Sequence, residues 1–208
     1  MSAPISRTVG ILIFEDVEVL DFCGPFEAFS VARPHGETSD ESRLFKVGTI
    51  AETNEIISCR GGLLVQPHHT IHDHPPLDII VIPGGRGTNQ VIENQVVLDW
   101  IAAQAAKIEL TTSVCTGAFL LAKVGLLDGK AATTHWGSID WLRDNFPQVD
   151  VRDDARFVDH GNVISSAGVS AGIDMSLHVI GRLYGQDTAD WTARHMEYDS
   201  RAEVLAGR

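Results

Sequence analysis

The sequence predicts an α/β fold: a doubly wound, mostly parallel sheet with helices on both faces and a cysteine nucleophile elbow. Three observations support this prediction. Short apolar runs rich in β-branched residues alternate with stretches of helical spacing, as in βαβ units. The run LDIIVIPGG (77–85) is almost continuously apolar, as expected for a strand covered on both faces. The run IELTTSV (108–114) leads into a cysteine between small residues and then into an apolar helix.

The elements of the first half follow from local pattern. The run TVGILIF is a predicted strand, and the next segment is a helix with Gly24 near its N-cap and Pro25 in its first turn. Breaker residues predict a surface loop before the second strand, and Gly61–Gly62 predict a hairpin turn. These predictions are strands at 8–14, 44–50 and 77–85, helices at 24–32 and 89–107, a loop at 34–43 and a hairpin at 57–67.

The second half continues the alternation of strands and helices. The segment around His160–Gly161 is a predicted hairpin turn. The predictions here are strands at 108–114 and 130–136, a hairpin at 155–168, and helices at 117–125, 138–146, 171–185 and 187–198. No repeat, linker or low-complexity tract interrupts the chain, so we expect one domain over 1–208.

Composition bounds the function. Of the 208 residues 44% are hydrophobic and 21% are charged, which suits a globular core, and the net charge is −12. Such a charge repels phosphates and anionic lipid, so we expect neither a nucleic-acid nor a membrane partner. The N-terminal apolar stretch is too short for a secretory signal or a membrane span. Three cysteines without metal-type spacing predict a reduced, cytoplasmic setting.

The stretch SVCTG contains the strongest chemical signal. Small residues stand two before and two after Cys115, as the sharp strand-to-helix turn of a nucleophile elbow requires. The following helix would direct its N-terminal amides at the sulfur and favour the thiolate. A buried core cysteine is the alternative interpretation.

Other candidates fall at the carboxyl ends of predicted strands, where open α/β sheets bind ligands. Gly84 and Gly85 could bring backbone amides close to a developing negative charge, or form a simple turn. Glu18 and Asp21 could supply a carboxyl group near the sulfur, or be solvated loop acids. His135 could form a dyad with the cysteine, or merely bond a loop.

A histidine-rich loop, PHHTIHDHPP (67–76), raises a zinc hypothesis. The spacing is irregular and no cysteine lies nearby, so we expect no functional metal.

Taken together, these stretches resemble the ThiJ/PfpI superfamily, which is related to class I glutamine amidotransferases, and within it the isocyanide hydratase-like branch. The resemblance rests on LDFCGPFEAF, DIIVIPGG, TSVCTGAFLLAKVGLLDGKAATTHW and AGVSAGIDMSLHV, and extends from Ile11 to about Tyr198. It implies a flavodoxin-like fold, usually in a homodimer. It places the nucleophile at Cys115 and the carboxyl partner at Asp21. Many other superfamily members carry a glutamate earlier in this segment, which here matches Glu18.

The resemblance also distinguishes this chain from other branches. Protease-like relatives have histidine after the nucleophile, where this chain has Thr116. Regulators of this branch carry a helix-turn-helix module after the domain, whereas this chain ends at Arg208, so we expect no DNA-binding module.

The resemblance implies an enzyme that hydrates an isocyanide to an N-substituted formamide, and we expect it to need no cofactor. Cys115 would attack the substrate carbon, Asp21 would supply a proton, and the amides of Thr116 and Gly85 would stabilise developing charge. The alternatives are glyoxalase-type or amidase chemistry, and a non-enzymatic ligand-binding or redox-sensing domain in which Cys115 is oxidised.

Overall fold

The computed structural model describes residues 6–199 and 205–206. An eight-stranded sheet forms its centre, in the order β12-β10-β11-β7-β6-β1-β2-β5. All pairs are parallel except β10 with β11. The main strands are β1 (Arg7–Leu12), β2 (Phe45–Ala51), β5 (His69–Thr70), β6 (Ile79–Ile82), β7 (Leu110–Val114), β10 (Phe157–Asp159), β11 (Val163–Ser166) and β12 (Leu205–Ala206).

Seven helices accompany the sheet in the described residues: α1 (Val19–Val31), α2 (Thr88–Val91), α3 (Gln95–Ala105), α4 (Gly117–Lys123), α5 (Ile139–Asn145), α6 (Ala171–Tyr184) and α7 (Gln186–His195). All four residues of β6 are fully buried, although successive side chains point to opposite faces. Both faces of the sheet are therefore covered, which confirms the predicted fold class.

The two predicted hairpins are present. β3 (Ile57–Ser58) pairs antiparallel with β4 (Leu64–Val65), and β10 pairs antiparallel with β11. The single-domain prediction over 1–208 stays a prediction, since residues 1–5, 200–204 and 207–208 lie outside the described residues.

Helix α1 begins at Val19, five residues before the predicted start. Pro25 therefore lies inside the helix instead of in its first turn. A proline there has no N–H for the carbonyl four residues earlier, which belongs to Asp21, and the helix continues without that bond. The early start puts Asp21 in the first turn of α1, where its side chain is buried.

Two further predictions need correction. The predicted helix 89–107 is divided into α2 and α3, because the Asn94 side chain accepts the amides of Val96 and Val97 and caps a new helix. The predicted strand 130–136 is a strand only at β8 (Ala131–Ala132), which pairs with β9 (Asp150–Val151) outside the central sheet. The amide of Thr133, just beyond β8, donates to a side chain, Ser165 Oγ, at 2.9 Å.

Candidate active site

Four strands of the sheet bring their carboxyl ends to one cleft. Cys115 follows β7, Gly84–Gly85 follow β6, Glu18 follows β1 and Val169 follows β11. The cleft has a volume of about 360 Å³. Its lining residues are Glu18, Arg60, Gly85, Arg86, Asn89, Cys115, Thr116, Phe119, His135, Gly137, Ser138, Trp141 and Val169. The structure thus brings the sequence-predicted stretches together where the topology places them.

Cys115 has the backbone of a nucleophile elbow. Its φ is 56°, a left-handed conformation that non-glycine residues rarely adopt. The Cys115 amide lies 3.2 Å from the carbonyls of both Ser166 and Ala167, and its carbonyl accepts the Thr134 hydroxyl at 2.7 Å. These bonds hold a conformation that costs about 1–3 kcal/mol.

The small residues around the cysteine are sterically required. A Cβ at Gly117 would lie 2.0 Å from the Ile82 carbonyl oxygen, and one at Gly84 would lie 2.5 Å from the Thr116 nitrogen. The glycines thus let the elbow and the end of β6 pack main chain against main chain.

Asp21 is the carboxyl partner that the fold places at the sulfur. Its side chain is fully buried, and it lies close enough to the Cys115 thiol that each group shifts the pKa of the other. The Gly84 amide donates to Oδ2 at 3.0 Å, and the Val169 amide donates to Oδ1 at 3.1 Å. One amide on each oxygen fixes the orientation of the carboxyl group.

Burial controls the acidity of this pair. Desolvation raises the pKa of Asp21 from 3.8 to about 7, against the lowering effect of the Gly84 amide. Burial, reinforced by the charge of Asp21, raises the pKa of Cys115 to about 12. Above about pH 7 the pair therefore carries one proton, which stays on the sulfur beside an ionised carboxyl group.

The resting state differs from the predicted thiolate. The amide and hydroxyl of Thr116 do lower the pKa of Cys115, as the helix-start argument expects. Burial and the neighbouring carboxylate outweigh them. Desolvation of the charged form is the larger effect because only 7% of Cys115 is exposed. The cysteine therefore rests as a thiol and needs a base to release its proton.

Thr116 links the elbow to the glycine turn after β6. Its hydroxyl accepts the Gly85 amide at 3.0 Å and lies 3.0 Å from the Thr88 hydroxyl. The Gly85 amide, expected to face a developing charge, is thus engaged by the Thr116 side chain. Thr116 itself interacts with the sulfur through both its amide and its hydroxyl.

Glu18 lies at the cleft rim and not at the sulfur. Its carboxylate accepts a hydrogen bond from Arg60 Nη1 at 2.7 Å, and the two side chains form an ion pair. Its amide donates to the Gly84 carbonyl at 2.9 Å. The structure thus brings Glu18 to the same cleft as Asp21, but gives the two carboxylates different partners.

His135 also lines the cleft, although it forms no dyad in the described part of the chain. Its Nδ1 accepts the Gly137 amide at 3.2 Å, and its ring lies 5.4 Å from that of Trp136. The ring packs so closely on Gly168 that a Cβ there would lie 2.2 Å from it. No hydrogen bond joins it to Cys115 among residues 6–199.

Sequence reasoning missed two residues that hold the site. Val169 has a φ of 55°, although β-branched side chains disfavour that conformation, and nothing in a single sequence marks it. Thr134 stands beside His135 in a stretch that drew attention only for its histidine. Both act through hydrogen bonds with residues distant in the chain, which spacing does not show.

The side chains of the histidine-rich loop bond to separate parts of the fold. His68 bonds the Thr49 hydroxyl through Nδ1 at 2.8 Å, and His74 Nε2 accepts the Trp100 indole N–H at 3.1 Å. Within the described residues, no group of three or more His, Cys, Asp or Glu side chains is arranged to hold a metal ion. Nor does the described part of the chain include a helix of the length and apolarity that crossing a membrane requires.

Known proteins of similar sequence and structure show which family the chain belongs to. The model of the DJ-1/PfpI family matches residues 7–182, which include all four strand ends at the cleft. The chain belongs to the DJ-1/PfpI family. Among solved structures, a ThiJ/PfpI family protein from Pseudomonas syringae superposes with a TM-score of 0.82 at 29% identity, over 95% of this chain and 77% of that one. DJ-1beta from Drosophila melanogaster superposes with a TM-score of 0.78 at 21% identity, over 94% and 100%, and shows the shared fold.

Relatives within this DJ-1/PfpI family differ in activity. The isonitrile (isocyanide) hydratase of Pseudomonas putida is 36% identical over 190 residues, covering 91% of this chain and 78% of that protein. The HTH-type transcriptional regulator GbdR of Pseudomonas aeruginosa is 26% identical over 87% of this chain, which spans only 48% of the regulator. The relatives of this chain therefore include both an enzyme and a transcriptional regulator.

Proposed function

We propose that this DJ-1/PfpI protein is a cysteine-dependent isocyanide hydratase that converts an isocyanide and water to an N-substituted formamide. The observation that carries the proposal is the buried Asp21 carboxyl group, which the Gly84 and Val169 amides hold beside Cys115 at the floor of the cleft. Similarity to the isonitrile hydratase over nine-tenths of the chain supports the same reaction.

The first step needs both a nucleophile and a proton source, and the pair supplies them. The Asp21 carboxylate accepts the thiol proton as Cys115 Sγ bonds to the terminal isocyanide carbon. The protonated Asp21 then delivers that proton to the same carbon, giving an S-linked thioimidate, R–N=CH–S–Cys. The carboxyl group thus acts as base and then as acid, which suits a pKa of about 7.

Water completes the reaction. It adds to the thioimidate carbon while the nitrogen takes up a proton, giving a tetrahedral carbon that bears OH, NHR and sulfur. The C–S bond then breaks, the hydroxyl proton is lost, the thiol is restored and the formamide R–NH–CHO leaves. The Thr116 amide and hydroxyl, positioned by Gly85, would stabilise charge on sulfur at both ends of the cycle.

The alternatives use the same nucleophile and are separated by one assay panel. Purified protein is tested with an aryl isocyanide, methylglyoxal and a peptide amide. We expect formamide from the isocyanide and no turnover of the other two. Turnover of methylglyoxal or the amide alone would overturn the proposal in favour of glyoxalase-type or amidase chemistry.

A redox-sensing role is less well supported by the site. Oxidation proceeds through the thiolate, and the raised pKa of Cys115 keeps the resting group a thiol. Inactivity towards all three substrates, with rapid peroxide oxidation of Cys115, would favour the sensor over the enzyme.

We further propose a cytoplasmic homodimer without a nucleic-acid partner, acting on a small molecule. The dimer rests on the family resemblance, and the exposed side chains Leu20, Leu63 and Leu64 would be candidate contacts for it. The net charge of −12 disfavours binding to nucleic acid. Sedimentation of the purified protein would report the oligomeric state.

A further inference from the structure

The cleft has an aromatic wall that the chemistry at its floor does not need. Phe119 and Trp141 lie with ring centroids 4.2 Å apart and planes inclined by 30°. Trp141 is 43% exposed although it is a large apolar side chain. An exposed aromatic face beside a nucleophile offers a flat apolar group a surface on which to stack.

Two arginines line the rim of the same cleft, one paired with an acidic residue and one not. Arg60 is paired with Glu18, the single acidic residue among those lining the cleft in the described part of the chain. Arg86 is exposed, and its guanidinium has no hydrogen bond or ion pair within residues 6–199. Asn89 lies on the same turn, since its backbone amide donates to the Arg86 backbone carbonyl at 3.2 Å. An uncompensated guanidinium and a side-chain amide thus share one part of the lining.

This arrangement favours a carboxylate over other anions. A planar guanidinium binds a carboxylate through two parallel hydrogen bonds, and a carboxamide can add a third donor. One unpaired arginine balances one negative charge. A phosphate dianion would leave excess negative charge close to Glu18 and to the Cys115–Asp21 pair.

Resting on the hydratase function proposed above, we propose that the substrate class is aryl isocyanides that carry a carboxylate. The ring packs on Trp141 and Phe119, the carboxylate bonds Arg86 and Asn89, and the isocyanide carbon reaches Cys115. The cleft volume of about 360 Å³ suits a single-ring molecule of this kind.

The test compares 4-isocyanobenzoate with its methyl ester, which has nearly the same shape but no charge. The measured quantity is the ratio of the two kcat/KM values, acid over ester, at pH 8. Arg86→Met is expected to lower this ratio about tenfold, as loss of a charge-assisted contact would. Lys107→Met removes the same charge from an exposed position outside the cleft, and is expected to leave the ratio unchanged.

Two outcomes overturn the inference while the hydratase function survives. The first is hydration of both compounds with an unchanged ratio in Arg86→Met, which includes the case in which the acid and ester rates fall equally. The second is an equal fall of the ratio in Lys107→Met, which would make the effect one of overall charge.

A binding experiment tests the carboxylate site separately, so that its outcome does not depend on whether the protein hydrates isocyanides. Cys115→Ala protein is titrated calorimetrically with 4-formamidobenzoate and with its methyl ester. Tighter binding of the acid, lost on adding Arg86→Met, supports the carboxylate site whether or not isocyanides are hydrated. Equal binding of acid and ester overturns it.

Discussion

At the scale of single residues, the site is governed by one buried carboxyl group. Asp21 is fully enclosed, accepts one amide on each oxygen and lies beside the Cys115 thiol. Glu18, three residues earlier, is instead committed to Arg60 at the rim. Two carboxylates in one turn of chain thus have different environments and, we expect, different roles.

Removing the proton carrier tests that division of roles. We expect Asp21→Asn to lower kcat/KM for an aryl isocyanide by about 10²–10⁴-fold, because an amide cannot relay the thiol proton. Glu18→Gln is the matched control and should cost far less, with circular dichroism confirming both folds. An inactive Glu18→Gln beside an active Asp21→Asn would assign the relay to Glu18. If both are active and Cys115→Ala is inactive, His135 becomes the next residue to test.

The pH dependence of the rate follows from the same pair. The active form carries one proton on the Cys115–Asp21 pair, so one of the two groups is ionised: either the Asp21 carboxylate or the Cys115 thiolate. We expect kcat/KM to rise as pH increases through about 7, the raised pKa of Asp21. It should stay level up to pH 9, because the pKa of Cys115 lies far higher. A rate that is already maximal at pH 5 would contradict the relay.

The residues of the site were predictable to different degrees. Cys115, Asp21 and Thr116 are identified by the small-residue pattern together with the family resemblance. The acidity of Cys115 was not, because helix-end amides suggest a thiolate while burial and Asp21 decide for the thiol. Burial is a property of the assembled fold, and the sequence around the cysteine does not contain it.

At the scale of elements, the segment between β11 and α6 (167–170) is held from outside the cleft. Arg156 pairs with the buried Asp174, and its Nη2 donates to Ser170 Oγ at 3.0 Å. Tyr198 donates its hydroxyl to Asp174 at 3.0 Å. The cluster fixes the segment whose Val169 amide holds Asp21.

We therefore expect Asp174→Asn to act on both stability and acidity. The free energy of unfolding should fall by about 1–3 kcal/mol, as the Arg156 and Tyr198 bonds weaken. The midpoint of the rate profile should move above 7, because the Val169 hydrogen bond lowers the pKa of Asp21 and would be loosened. Urea unfolding and the pH profile of kcat/KM measure the two effects.

Asp150→Asn is the control for this cluster. Asp150 is exposed and pairs with Arg152 at 3.2 Å on the surface, where an ion pair contributes about 0–1 kcal/mol. It should alter neither measurement appreciably. An Asp174→Asn protein that loses stability but keeps its midpoint would limit the cluster to a structural role.

Element boundaries show where sequence reasoning fails. Strands β1 and β6 were predictable because short apolar runs identify them directly. The start of α1 was not, because Pro25 signals a helix beginning but here lies within the helix. The segment after β8 was misread as strand because its polar side chains, Thr134 among them, bond across the fold to the elbow.

At the scale of the whole molecule, the site reduces stability in a pH-dependent way. The pKa of Asp21 is raised from 3.8 to about 7, so between these values the folded protein keeps a proton that the unfolded chain releases. The free energy of unfolding from this group therefore falls as pH rises from about 4 to 7, and then levels off.

Asp21→Asn removes that dependence. The stability of the variant relative to wild type should become more favourable as pH rises from 5 to 8, by about 2–3 kcal/mol. The difference between the two proteins is the relevant quantity, since the other titrating groups are common to both. Urea unfolding at four pH values measures it. If the stability of wild type and of Asp21→Asn changed with pH in the same way, a raised pKa for the buried Asp21 would be contradicted.

The glycines beneath the cleft occupy positions where no other amino acid fits, whereas the rim of the cleft contains exposed side chains. A Cβ at Gly84, Gly87 or Gly117 would meet main-chain atoms at 2.5, 1.8 or 2.0 Å, so no neighbouring side chain can yield to make room. Arg86 and Trp141, by contrast, have exposed side chains and do not belong to the strand ends. A mutagenesis library aimed at new substrates should therefore spare the floor and randomise the rim. The same partition shows how one scaffold can acquire unrelated ligands without rebuilding its reactive centre.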